Sequence, residues 1–321
     1  MLPIFTFQPF FKSVIWGGNR IARFKGIPSQ GDSVGESWEL SPMPGRESVV
    51  DSGKYKGESL NELVARFPIE ILGMRINDCC HGRFPLLVKF IDAADDLSVQ
   101  VHPDNDVAMS RHNSPGKSEL WYVLHSEPEA SLLLGFNRPM NVETFRRMIA
   151  DHTLVEALHK YDVKPGDVFY IPAGRIHSIG SGTLIVEIQQ ASDITYRVYD
   201  YDRRDAAGNP RELHVEQSLE VLDYVETPAA VRNVQPAPGQ RLNVAHTPYF
   251  NADVMSVKDT LSLDLKSLDS FTIFINIEGD ITLEDSENRL THLPQGHTAL
   301  IPACIPSVKV SGTGKLLSVN L

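Results

Sequence analysis

Cysteine is scarce: the chain of 321 residues has three, the adjacent Cys79 and Cys80 and the distant Cys304. Without spaced pairs there is no basis for a disulfide framework or a thiolate metal site. Basic residues are in deficit, 30 against 41 acidic, for a formal net charge of -11. With no basic run to neutralise phosphates, nucleic acid is disfavoured as a partner. A small anionic ligand needs only one or two local cations and stays open. No apolar stretch approaches the length of a membrane span. The opening Met1-Leu-Pro-Ile-Phe-Thr-Phe7 has no basic segment followed by an apolar run, so no secretory signal is evident. The expectation is a soluble, cytoplasmic protein with no membrane partner, large enough for two modest domains or one elaborated one.

What the sequence does contain is short strands punctuated by Gly/Pro turns, which favour a β-barrel or sandwich over a βαβ protein. The stretch Leu97-Ser-Val-Gln-Val-His-Pro-Asp104 alternates, with Ser98, Gln100 and His102 on one face and Leu97, Val99 and Val101 on the other. That polar face carries no charge. Gln100 and His102, two apart on one strand, can reach a common metal ion. Taken alone, the octapeptide reads more simply as a surface strand that includes one histidine.

The remaining segments add polar groups in apolar settings. Ile15-Trp-Gly-Gly18 reads as a short apolar run ending in a turn, with Trp16 a core or rim aromatic. In Gly35-Glu-Ser-Trp-Glu39, Glu36 shares a face with Trp38. Lys89 sits inside the apolar strand Pro85–Asp92, where it is either paired, used, or snorkelling at a sheet edge. Lys117 and Glu119 share a face at the start of another strand. Pro172-Ala-Gly-Arg-Ile-His177 makes a turn that delivers His177 onto the next strand. Glu187 lies in the apolar Thr183–Gln189, and Arg197 is central in Asp193–Tyr199. Helical periodicity covers residues 58–73, 142–158 and 213–223, the first with Ser59 as a cap and Pro68 as an interruption. After a Pro-rich linker at 225–240, Gly296…Ile-Pro-Ala…Ser307 parallels Gly166…Ile-Pro-Ala…Ser178, an internal repeat without the histidine.

The turn-rich strands and the spaced ligand pair resemble the cupin double-stranded β-barrel. Six words, Ile15-Trp-Gly-Gly18, Gly35-Glu-Ser-Trp-Glu39, Gln100-Val-His-Pro-Asp104, Lys117-Ser-Glu119, Pro172-Ala-Gly-Arg-Ile-His177 and Asp193-Ile-Thr-Tyr-Arg197, occur in the order found in type I mannose-6-phosphate isomerases. The match runs from the N-terminus to about residue 224 and resembles the short bacterial form. It implies a mainly β chain of two cupin-type, jelly-roll-like barrels with a small helical portion. Residues 1–224 are then the catalytic domain, and 241–321 a second barrel without metal ligands.

The resemblance also implies one zinc ion per chain, held by Gln100, His102, Glu119 and His177. Two imidazoles, an amide oxygen and a single carboxylate suit such an ion and leave it a Lewis acid. The implied reaction interconverts mannose 6-phosphate and fructose 6-phosphate through a cis-enediol. Arg197 is then expected to face the developing charge, with Lys117 and Glu187 as candidates for proton transfer; the plainer role for Glu187 is pairing with Arg197. Ser98 and Lys89 are expected at the phosphate, and Trp16 and Glu36 along the site. Three rival readings are an isomerase of another phosphosugar, a non-enzymatic sugar-binding cupin, and an iron-dependent dioxygenase cupin. The retained Lys117 and Arg197 count against the second, and the Gln ligand against the third. For the C-terminal barrel two roles stay open, a homodimer interface and a wall of the substrate pocket.

Overall fold

The computed structural model describes residues 1–204 and 207–321, and three antiparallel sheets dominate it. A seven-stranded sheet runs in the order Arg232–Asn233, Asp167–Ile171, Glu119–Ser126, Thr183–Gln190, Leu86–Ala93, Phe10–Gly18, Val34–Leu40, with Val34–Leu40 also paired directly to Leu86–Ala93. A five-stranded sheet orders Tyr196–Tyr199, Val99–Val101, His177–Ile179, Ser131–Phe136 and Leu158–Asp162. Trp121, Phe169 and Ile185 from the larger sheet pack with Leu132, Leu134 and Ile179 from the smaller one in a single apolar cluster. The two sheets therefore form a sandwich. Among the described residues no sheet closes on itself by hydrogen bonding. The mainly β expectation holds, with facing sheets in place of closed barrels.

The third sheet has eight strands, built around the long antiparallel trio Asn251–Asp264, Ser307–Asn320 and Thr272–Asp285. Two boundaries differ from the sequence reading. The segment Phe5–Gln8, assigned to the first domain, pairs with Val49–Val50 of that domain, Phe7 opposite Val50, and also with Thr298–Ile301 of the third sheet, Phe5 opposite Leu300. Phe5 and Phe7 alternate into the core beside Ile273 and Leu317, and that burial ties the N-terminus to the third sheet. The stretch read as a linker is also structured: Arg232–Asn233 pairs with the Asp167–Ile171 strand, and Val234 is buried.

The first helical region is three short helices, Leu60–Arg66, Pro68–Leu72 and Met74–Cys79. Ser59 caps the first through a capping box, its hydroxyl accepting from the Glu62 N–H while Glu62 accepts from the Ser59 N–H. Pro68 starts the second helix, where its missing N–H costs nothing. The two later helical regions are Val142–Ala150, followed by a 3₁₀ turn at Leu154–Ala157, and Val215–Val221; helices at Arg20–Lys25 and Asn105–His112 and a 3₁₀ turn at Gly53–Tyr55 were not expected.

Gly17 and Gly18 end a strand instead of forming a turn. A Cβ on Gly17 would lie 2.2 Å from the Ser33 carbonyl oxygen, so Gly17 lets two backbones approach closely, while Gly18 leaves room for the Asp92 carboxylate. The repeat is visible in three dimensions. Each copy is a strand, a Pro-Ala turn and a second strand, with Arg175 N–H donating to Pro172 O at 3.1 Å and Ile305 N–H to Pro302 O at 3.0 Å. The strands after these turns start at His177 and at Ser307. A histidine in one copy is a serine in the other.

Candidate metal centre and active site

The sheet register assembles the site. Gln100, in the middle of Val99–Val101, lies opposite His177 on one side and opposite Arg197 on the other. A row of imidazole, amide and guanidinium thus crosses three strands. From the facing sheet, Glu119 opens its strand with no solvent exposure. The pairing Lys89–Glu187–Trp121 continues across three neighbouring strands there.

His102, Glu119 and His177 bring their donor atoms within 4.8 Å of one another. His177 Nε2 is 3.3 Å from Glu119 Oε1, and His102 Nε2 is 3.6 Å from Oε2. Each imidazole is oriented from behind: His102 Nδ1–H donates to the Ile194 carbonyl at 2.8 Å and His177 Nδ1–H to the Arg175 carbonyl at 2.8 Å. These bonds fix the tautomer and leave both Nε2 lone pairs facing Glu119. Burial holds His102 well below the usual imidazole range, helped by the charges of Lys117 and His177. Burial likewise lowers His177 to about 3. Both rings are neutral near pH 7, the form that binds a metal.

Glu119 is the telling group. Among the described residues neither of its oxygens receives a hydrogen bond of normal geometry, although Lys117 Nζ stands 2.7 Å from Oε2 as an ion pair. Burial and the nearby Glu187 charge raise its carboxyl to about 7. Two neutral nitrogens and an orphaned carboxylate 3.3 to 3.6 Å apart fit a tetrahedral cation, since ligands about 2.1 Å from a common centre stand about 3.4 Å from each other. Gln100 presents its amide nitrogen to His177 Nε2 at 3.2 Å, and exchanging its amide N and O would turn Oε1 to the same place.

Gln100 and Lys117, which touch this cluster, also line a pocket of about 340 Å³ together with Glu187, Arg197, Ser98 and Trp16. Its cations differ in how they are neutralised. Lys89, expected at a phosphate, lines the pocket and is buried between Glu187 at 3.1 Å and Glu36 at 3.8 Å. Although burial opposes it, the two carboxylates raise its ammonium above the ordinary range. A lysine already held by two anions is not a free cation for a third. Glu187 is likewise paired with Lys89, not with Arg197, and accepts from Trp121 Nε1–H at 3.0 Å. Against the opposing effect of burial, Lys89 and Lys117 hold Glu187 ionised, near 2. Glu36 bridges Lys12 at 2.7 Å and Trp38 Nε1–H at 2.7 Å. Arg197 is different. It makes no ion pair among the described residues, and its guanidinium donates only to Ser98 Oγ at 3.3 Å and the Glu212 carbonyl at 2.8 Å.

The ladder Lys12–Glu36–Lys89–Glu187 gives a stability prediction. Lys89→Met should cost about 3–5 kcal/mol in urea unfolding, because it strips the shared partner from two buried carboxylates. A loss below 1 kcal/mol would place Lys89 outside the ladder's balance.

Several lining residues escaped the sequence reading: Lys12, Arg46, Asp193, Thr195 and Arg211. Lys12 and Val14 had a usable signal, since they alternate with Trp16 along one strand. The others lie mostly in loops, where no period applies.

Comparison with known proteins agrees with this geometry. The model for the catalytic domain of type I phosphomannose isomerase matches residues 4–136, and that for the mannose-6-phosphate isomerase cupin domain matches 241–321. Mannose-6-phosphate isomerase ManA of Bacillus subtilis is 36% identical over 99% of each chain. The mannose-6-phosphate isomerase of Streptococcus mutans is 44% identical over 68% of this chain and 67% of its own. Among solved structures, the mannose 6-phosphate isomerase from Bacillus subtilis superposes with a TM-score of 0.89 at 30% identity, covering all of both chains. A putative mannosephosphate isomerase from Archaeoglobus fulgidus gives 0.81 at 26% identity, over 99% of this chain and 98% of its own. The chain belongs to the type I phosphomannose isomerase family.

Proposed function

We propose that the chain is a zinc-dependent isomerase that interconverts mannose 6-phosphate and fructose 6-phosphate through a cis-enediol. The observation that carries this is the meeting of two features in one place. A His/Glu/His cluster that fits a divalent cation is joined through Gln100 and Lys117 to a pocket whose guanidinium, Arg197, has no carboxylate partner among the described residues. Gln100, His102, Glu119 and His177 would hold one zinc ion. When bound, the ion supplies Lewis acidity toward the sugar oxygens.

The chain's own groups supply the rest. Arg197 is the cation open to negative charge on the substrate, and Ser98 beside it offers a hydroxyl to the phosphate. Lys117 and Glu187 line the pocket and carry the proton between C2 and C1. Trp16, buried in the wall, and Glu36, fixed by Lys12 and Trp38, shape the cavity. Among the described residues no helix is long and apolar enough to cross a membrane.

The test is turnover of mannose 6-phosphate, with product fructose 6-phosphate followed by a coupled assay, beside glucose 6-phosphate and unphosphorylated mannose. Mannose 6-phosphate should be the preferred substrate by kcat/KM. Preference for another phosphosugar would overturn the substrate assignment, and binding without turnover would overturn the enzyme.

A further inference from the structure

Lys117 occupies an unusual position for a pocket residue. Its ammonium stands 2.7 Å from Glu119 Oε2 and 3.1 Å from His102 Nε2, buried against two of the three donors of the candidate metal centre. Both contacts use lone pairs that a metal ion would need. His102 Nε2 has a single lone pair in the ring plane, and the opposite ring nitrogen is committed to Ile194. One lone pair cannot accept a proton from an ammonium and coordinate a cation together. A dication among these donors would also repel an ammonium held a few ångströms away in a dry site.

The backbone around Lys117 is fixed, which leaves the side chain as the part that yields. Lys117 N–H donates to the Pro103 carbonyl at 3.1 Å, and Gly116 N–H to Asn105 Oδ1 at 2.9 Å. The side chain already lines the substrate pocket, where the other carboxylate within its field is Glu187. A lysine that leaves Glu119 therefore has a second anion to turn toward, in the lining of the same cavity.

Resting on the metal reading above, we infer that Lys117 and a divalent cation compete for Glu119 and His102, so that metal loading turns the Lys117 ammonium off those donors and into the substrate pocket. Lys117 is then a positioned group whose availability to substrate depends on the ion. The protein couples a filled metal site to a completed pocket without any movement of its strands.

The experiment measures zinc affinity by competition with a chromophoric chelator, for the wild type, Lys117→Met and Lys117→Arg. Removing the competing charge should tighten zinc binding in Lys117→Met by about tenfold or more, on the scale of other groups that touch metal ligands. Lys117→Arg keeps the charge and should not tighten it. Unchanged or weaker binding in Lys117→Met overturns the inference, as does equal tightening in Lys117→Arg. Should Lys117→Met fail to fold, the wild type decides: acetic anhydride labelling of Lys117, read by mass spectrometry against exposed Lys56, should be faster with zinc than after chelation. Equal or slower labelling overturns it. A wild type that binds no zinc brings down the metal reading itself, whereas zinc bound with unchanged affinity in the variant removes only the competition.

Discussion

Replacing Glu119 with glutamine is expected to empty the metal site and lower kcat/KM by about a thousandfold or more, at least the scale seen when one electrostatic stabiliser is removed from an active site. The substitution keeps the shape of the side chain and deletes the one anionic donor in the cluster. His102 and His177 would remain oriented by Ile194 and Arg175, since neither bond involves Glu119. The fold should survive, because burial already favours the uncharged form of this carboxyl. Metal content by plasma emission and a thermal melt accompany the kinetics. A variant that keeps both zinc and activity would show that Glu119 serves Lys117 and not an ion.

Arg197→Ala should lower kcat/KM by about a hundredfold while zinc content stays at the wild-type level. Arg197 lies one strand from Gln100 and touches none of the His/Glu/His donors, so the metal should not feel its loss. The split between parameters locates its work. A rise in KM with little change in kcat points to the ground-state phosphate, whereas a fall in kcat points to charge that develops during the reaction. Arg197→Lys should recover part of the loss, since a point charge replaces the fork without matching its geometry. Loss of zinc in Arg197→Ala would instead make the arginine a structural support of its row.

Much of the site could be read from period two. Ser98, Gln100 and His102 alternate along and just beyond the strand Val99–Val101, and Lys117 and Glu119 at the start of another, so their grouping was legible before any fold was known. The Pro-Ala turn that delivers His177 was legible for the same local reason. What failed was pairing across strands. Lys89 was visibly out of place in an apolar strand, but its partners Glu187 and Glu36 lie on the two strands flanking it, and register is set by the whole sheet. Glu187 was matched to Arg197 for lack of that information. Gly17 and Gly18 looked like a turn, because a sequence does not show that the Ser33 backbone and the Asp92 carboxylate pass within contact of them. That Phe5–Gln8 also pairs with the C-terminal sheet was not legible, because its partner strand there lies almost three hundred residues away. Local alternation carries chemistry onto a face; only the sheet decides which faces meet.

The most direct measurement strips the purified protein with a chelator, then restores zinc stepwise while metal content and mannose 6-phosphate turnover are read on the same samples. Activity should disappear with the metal and return in proportion to zinc, reaching its plateau at one ion per chain. Full turnover in protein shown to be metal-free would contradict it.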